Sequence, residues 1–252
     1  MWDGLNRTSP EASDLTWLVE AVKAGRAIWV TDGSYDRIRA PTLSSAGWLV
    51  FCPDSGRMLT CFFYEISPDA NAYRGELMGL CGVHIFMLAL QQFFDLPQIK
   101  NKLVCDCQGA LNQAQWNRKK VRPSSSCADV LRELRTIKNR LSHQIEYEWV
   151  MGHADRHLLW WQMTLEQQLN AKCDNLAKCA IDRAIRTGIR QSGTFLFPQE
   201  STAVFVNGAK ITSAIDKPVR FALGKENARE FLVHEKHWTR QQFEQVAWEH
   251  LE

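Results

Sequence analysis

The order in which the hydrophobic period changes along the chain is the tightest constraint on its fold. Three strand-like runs come first, at residues 27–31, 46–52 and 57–66, with the turn cluster Pro53-Asp54-Ser55-Gly56 between the second and the third. A helical stretch follows over about residues 72–94 and is stopped by Pro97. A short strand at 102–107 leads into a helix from Gln108, an amphipathic helix over about 127–141, a fifth strand at 144–150 and a long helix over about 164–186. The sequence βββαβααβα predicts an α/β domain. Its first three strands form an antiparallel meander, its later strands join by helical crossovers, and the five-stranded mixed sheet carries helices on both faces.

Residues 1–25 read as an N-terminal helical extension, capped by Ser13 or Asp14, with Leu15, Leu18, Val19 and Val22 at helical spacing. Residues 26–190 hold the main domain. Residues 191–252 read as a small α/β appendage. It has a hairpin around Asn207-Gly208 and three short helical patterns, the last opening on a capping box from Thr239 to Gln242. The apolar run 77–90 is short for a membrane span and fits a buried helix, so no membrane partner is expected. Eight cysteines without CxxC or Cys/His metal spacing read as reduced thiols of an intracellular protein, cytoplasmic or nuclear.

The net charge of +2 speaks against nucleic acid only until it is divided by region. Residues 100–190 carry 16 basic and 9 acidic side chains, a local excess of +7, which suits a surface that contacts phosphates or a solvated helical face. Four acids sit where carboxylates are unusual. Asp32 interrupts an apolar strand, Glu76 opens an apolar helix, Asp106 ends a short apolar strand between two cysteines, and Asp174 precedes an apolar stripe on the last helix. Strand alternation points Asp106 to the face opposite Cys105 and Cys107. Taken singly, each acid reads as a cap or a salt-bridge partner. Brought together, four carboxylates raise one another's pKa and cannot all ionise without a cation. Hard oxygen ligands select Mg²⁺ or Mn²⁺, and two such ions can activate water and stabilise a leaving oxygen in phosphodiester cleavage.

These residues stand in motifs that resemble the ribonuclease H family. Thr31-Asp32-Gly33-Ser34 is similar to its first-strand motif, and Tyr73-Arg74-Gly75-Glu76-Leu77 to its first-helix motif. Cys105-Asp106-Cys107-Gln108 resembles its fourth-strand motif. The run 148–154 (EWVMGHA), followed by Cys173-Asp174-Asn175-Leu176-Ala177, resembles its fifth-strand and last-helix signature. The motifs keep order and register over residues 27–187. The resemblance implies that Asp32, Glu76, Asp106 and Asp174 bind two Mg²⁺ or Mn²⁺ ions. It also implies that His153 assists proton transfer or product departure from a mobile loop. The implied activity is hydrolysis of the RNA strand of RNA–DNA hybrids, leaving a 5′-phosphate and a 3′-hydroxyl.

Expected substrate contacts are Gly33, Ser34, Tyr73, Arg74, Gln108, Lys119, Lys120, Arg122 and Asn170. Asn170 shares a helix face with Asp174. Tyr73 stands where the family often has Asn, and the basic segment 118–122 is a shortened form of a substrate-binding protrusion. An insertion over 155–169 carries Trp160 and Trp161, expected to pack under the sheet rather than to stack on bases. The wording YRGEL and QQLNAKCDNLAK is most similar to ribonuclease H domains of retroelement polyproteins, so a reverse transcriptase, fused or separate, is a further expected partner. Two other readings remain at this point. One is a transposase- or integrase-like strand transferase, which would rely on three acids and no histidine loop. The other is a non-catalytic module that binds nucleic acid or protein.

Overall fold

The computed structural model describes residues 5–6, 14–67, 69–98, 100–115, 120–122, 124–142, 144–188, 203–206, 209–214 and 216–245. The main sheet contains β1 (Leu5–Asn6), β2 (Ile28–Tyr35), β3 (Leu43–Phe51), β4 (Met58–Ile66), β5 (Lys100–Cys105) and β6 (Gln144–Trp149). Its order is β1-β4-β3-β2-β5-β6. β2, β3 and β4 pair antiparallel, and β5 and β6 join parallel to β2. The five expected strands are therefore present in a mixed sheet. The sixth, β1, is a two-residue addition that pairs Leu5 with Cys61 on the outer edge of β4 and shields it.

β2 runs four residues further than its apolar run. The ladder to β3 continues through Asp32↔Gly47, Gly33↔Ala46 and Tyr35↔Ser44, so the polar Asp-Gly-Ser segment stays extended because its backbone has a partner. Alternation along the central strands divides the core in two. Trp29, Trp48 and Leu103 face one side, where they meet α1 (Thr16–Lys23), α2 (Ala72–Phe94), α3 (Gln108–Gln115) and α4 (Ala128–Arg140). Val30, Leu49 and Val104 face the other, where Leu169 and Cys173 of α5 (Leu165–Thr187) cover them. The N-terminal helix α1 buries Trp17, Leu18, Ala21 and Val22 in the same core as α2.

α2 is long and apolar enough by composition to cross a membrane, but it is buried between the sheet and α4. Asn71 caps it, accepting from the Arg74 amide at 2.9 Å. Its histidine, His84, is wholly buried between the Leu80 carbonyl (2.6 Å) and the Tyr147 hydroxyl (2.8 Å), and burial pushes its pKa down to about 4, so the ring is neutral. All eight cysteines are free thiols.

The first turn of α2 lies directly on β2. A methyl group on Gly33 would come within 2.3 Å of the Glu76 amide nitrogen and 2.5 Å of the Gly75 carbonyl carbon. Only a residue without Cβ allows this backbone-to-backbone approach.

In the C-terminal part, β7 (Phe205–Val206) and β8 (Ala209–Lys210) form the expected hairpin, whose Asn207-Gly208 turn lies outside the described residues. Among the described residues two helices follow, not three: α6 (Asp216–His234) and α7 (Arg240–Glu244). Thr239 and Gln242 make the capping box.

Gly33→Ala is expected to lower stability by about 1–3 kcal/mol, the scale of overpacking a filled core, because backbone must move rather than a side chain tip. Urea denaturation of the purified variant measures this. A loss below about 0.5 kcal/mol would show that the α2–β2 approach is not tight.

Candidate active site

Parallel pairing places two acids side by side. Val30 of β2 is in register with Val104 of β5, so Asp32 and Asp106 each lie two residues beyond the last paired position of this parallel ladder, Asp32 within β2 and Asp106 just past the end of β5. Glu76 arrives from the first turn of α2, on the Gly33 side of β2. Asp174 arrives from α5 on the opposite face, where Asn170, one turn earlier, donates to Asp32 Oδ2 at 3.3 Å. The strand β6 ends at Trp149, and the chain then crosses the mouth of the site as Val150-Met151-Gly152-His153, with the Val150 amide bonded to the Cys105 carbonyl at 3.2 Å. His153 takes a left-handed backbone (φ 50°) that turns its Nδ1 to 3.6 Å from Asp174 Oδ2.

The charges are not compensated by basic side chains. Among the described residues no lysine or arginine ion-pairs with Asp32, Glu76 or Asp106. Burial pushes Asp32, 3% exposed, up to about 10, and the repulsion of Glu76, Asp106 and Asp174 adds to it. Burial, then Asp106, lift Glu76 to about 8, while the Gly33 amide, Cys105 and Asp32 hold it down by hydrogen bonds. Asp106 is also raised by burial, with His153 pulling the other way. Asp174 has a basic neighbour: Lys178 ion-pairs with it from one turn further along α5. Four carboxylates converging from four elements, with Asp32, Glu76 and Asp106 lacking a lysine or arginine partner among the described residues, fit a hard divalent cation.

Asp106 departs from the alternation expectation. It lies just past the last ladder residue of β5, so strand alternation does not govern it. Its carboxylate, Glu76 and the Cys105 thiol gather with their ligand atoms within 4.8 Å of one another. The Cys105 Sγ lies 3.8 Å from Glu76 Oε2. Two further residues were not singled out by sequence. Gly152 leaves room for Asp106, since a Cβ there would sit 2.1 Å from Asp106 Oδ2. Trp149 donates from its indole to the Asp106 carbonyl at 2.8 Å. Both lie in the motif around His153, which was the available signal; the i, i+4 spacing was the signal for Lys178.

Of the expected substrate contacts, Gly33 and Asn170 stand at the acids, and the Ser34 carbonyl accepts from the Ser45 hydroxyl at 3.2 Å beside them. Tyr73 is half-buried against the core next to Gly109. Gln108 is exposed at the start of α3 and donates to Asn112. Lys120 and Arg122 are exposed between α3 and α4, and Lys119 lies outside the described residues. Arg74 is corrected: it is 0% exposed and bound by Glu65 and Asp129, so its guanidinium cannot reach a phosphate.

Trp160 and Trp161 are also corrected. They do not pack under the sheet but stand 46% and 77% exposed. Leu158, Met163, Ala154 and Ala171 fill the interior of their loop, and α5 already covers that face of the sheet, leaving no space for two indoles. Gln168 fixes the loop by donating to the Trp160 carbonyl at 2.8 Å.

The raised acids carry a linkage. Between the unfolded values of 3.8 for Asp32 and 4.5 for Glu76 and their folded values of about 10 and about 8, the folded protein holds protons that the unfolded chain releases. Stability without divalent cation therefore falls as pH rises through this window, on the order of 1 kcal/mol per pH unit. Asp32→Asn is expected to flatten that slope and to melt higher than the parent in chelator at pH 8. It is also expected to lose most of the melting-temperature rise that Mg²⁺ gives the parent. Thermal melts across pH with and without Mg²⁺ read all three; a pH-independent parent would refute the linkage.

No protein-family model matches the chain, and a search of curated proteins finds no match. Among solved structures, the N-terminal RNase H domain of a Mycobacterium tuberculosis protein is 18% identical over 64% of this chain and 96% of that one, with a TM-score of 0.44. An RNase H1 isolated from compost by a metagenomic approach, solved with an RNA/DNA hybrid, is 18% identical over 63% and 99%, with a TM-score of 0.45. The RNase H domain of the foamy virus PFV is 13% identical over 62% and 93%, with a TM-score of 0.44. Likeness this distant carries no residue roles across. The strand order of this chain stands on its own pairing: an antiparallel meander, two parallel strands added at its β2 edge, and helices on both faces, which is an RNase H-like fold.

Proposed function

We propose that the chain is a metal-dependent endonuclease that hydrolyses the RNA strand of RNA–DNA hybrids, leaving a 5′-phosphate and a 3′-hydroxyl. The observation that carries this reading is the convergence of Asp32, Glu76, Asp106 and Asp174, with His153 beside Asp174, where the parallel ladder between β2 and β5 ends. The four carboxylates would hold two Mg²⁺ or Mn²⁺ ions, which would supply Lewis acidity and lower the pKa of a bound water. Asn170 orients Asp32 through its amide. Gly152 keeps the space that Asp106 occupies, and the Trp149 indole holds the Asp106 backbone. With its Nδ1 turned toward Asp174, His153 keeps Nε2 for exchanging a proton near the departing product.

The substrate follows from the surroundings. The excess of +7 over residues 100–190 includes Lys119, Lys120 and Arg122, which neutralise backbone phosphates. Gly33, Ser34, Tyr73 and Gln108 are the residues assigned to the nucleic-acid strand whose 2′-hydroxyls distinguish RNA from DNA. Trp160 and Trp161 add exposed indole faces of the kind on which unpaired bases stack. The resemblance of the motifs to retroelement polyproteins supports a retroelement origin, with a reverse transcriptase as a fused or separate partner. The free thiols suit an intracellular site of action, in the cytoplasm or nucleus.

The chain is expected to cut a labelled hybrid in the presence of Mg²⁺ or Mn²⁺. Asp106→Asn is expected to cut roughly 100-fold more slowly or worse, the scale of losing several kcal/mol of charge stabilisation, while melting no lower than the parent. Gel analysis of products gives both the rate and the end groups. An inert parent, or equal rates for the two proteins, would sink the proposal.

A further inference from the structure

The C-terminal hairpin takes no part in the chemistry proposed above, yet one of its side chains enters the interior of the main domain. Lys210 of β8 is only 8% exposed, and its Nζ lies 3.4 Å from Asp129 Oδ2. The same oxygen accepts from Arg74 Nη2 at 2.8 Å. Arg74 also donates from Nη1 to Asp129 Oδ1 at 2.9 Å, from Nε to Glu65 Oε2 at 2.5 Å and from Nη2 to Glu65 Oε1 at 2.7 Å. Four side chains from β4, α2, α4 and β8 thus meet out of water. Thr212, two residues past Lys210, adds two further bonds to the main domain. The Thr212 carbonyl accepts from the Asp129 amide at 3.4 Å, and the Thr212 hydroxyl donates to Asp69 in the segment leading to α2.

The charges explain why a lysine stands there. Arg74 offsets one of the two buried carboxylates, Glu65 and Asp129, and leaves the other uncompensated. Lys210 supplies the second positive charge within the group of four. A buried ion group missing one partner is strongly destabilising, because the remaining charge keeps its desolvation cost without its attraction. The first turn of α2 is one of the segments this group ties together. Arg74 lies two residues before Glu76, and that turn touches β2 backbone to backbone at Gly33.

We infer that Lys210 is a positioning residue for the acidic site: by completing the charge balance around Arg74 it holds the first turn of α2, and with it Glu76, in register with Asp32 and Asp106. The C-terminal hairpin is then a working part of the site rather than an accessory. This rests on the reading of the four acids as a cation site.

The test uses the full chain with Lys210→Met, Lys210→Arg and the double variant Asp129→Asn/Lys210→Met, and reads Mn²⁺ affinity by calorimetry alongside melting temperature. Lys210→Met is expected to weaken Mn²⁺ binding about 10-fold or more, the scale of losing a supporting partner of a ligand. Lys210→Arg is expected to restore most of the affinity. The double variant, in which Arg74 and Glu65 balance each other again, is expected to bind better than Lys210→Met alone. Parental affinity in Lys210→Met, even at a lower melting temperature, overturns the inference and leaves Lys210 a fastener of the hairpin. A double variant no better than the single one also overturns it. Should Lys210→Met fail to fold, the double variant decides: folded protein with near-parental affinity carries the inference, and an unfolded or non-binding one overturns it. A parent that binds no Mn²⁺ refutes the cation-site reading itself, whereas a binding parent with an unaffected Lys210→Met refutes only the role of Lys210.

Discussion

Holding four carboxylates close together and away from water is unfavourable, and the fold around them is arranged to withstand it. Desolvation and mutual repulsion raise Asp32 and Glu76 far above ordinary carboxylates, and among the described residues no basic side chain relieves them. Each acid is therefore carried on a rigid element. Asp32 stands on a strand paired on both sides at its base, Asp106 at the end of the parallel strand beside it, Glu76 on the first turn of a buried helix, and Asp174 inside a 23-residue helix. The two faces of the sheet are filled by separate apolar clusters, so the elements cannot move apart to dilute the charge.

α2 brings two opposite electrostatic situations within two residues of each other. At Glu76 negative charge is gathered without a partner, which is how a site is prepared for a cation. At Arg74 burial would push the guanidinium pKa down, but hydrogen bonds and charge from Asp129 and Glu65 outweigh it and hold it up. Burial likewise works against the Asp129 carboxylate, and the Arg74 bonds hold its pKa below the usual range. The paired group anchors the turn that presents the unpaired one. The one element thus carries a paired and an unpaired group of charges within a single turn.

Much of this was legible in the sequence, for a physical reason. Periodicity is local, so the helix 72–94 and the helix begun by Thr164 fall where their apolar spacing and caps put them. The four acids stood out because carboxylates at apolar positions need an explanation wherever they occur. Local pattern failed where a distant contact decided the outcome. β2 extends through Gly33 and Ser34 because β3 continues beside it. Asp106 meets Cys105 because the ladder stops one residue earlier. Trp160 and Trp161 remain exposed because smaller side chains had already filled the loop.

The sequence alone determined the order of the five main strands and the helices between them, the two-sided burial of the sheet and the four acids at apolar positions, since each depends on spacing within a few residues. Only the tertiary structure decided what Arg74 and Lys210 do. Along the chain Arg74 reads as a substrate contact and Lys210 as nothing in particular, and one lies 136 residues beyond the other. They become buried partners because Glu65 and Asp129 approach from two other elements, and that coincidence is a property of packing, which no local pattern encodes.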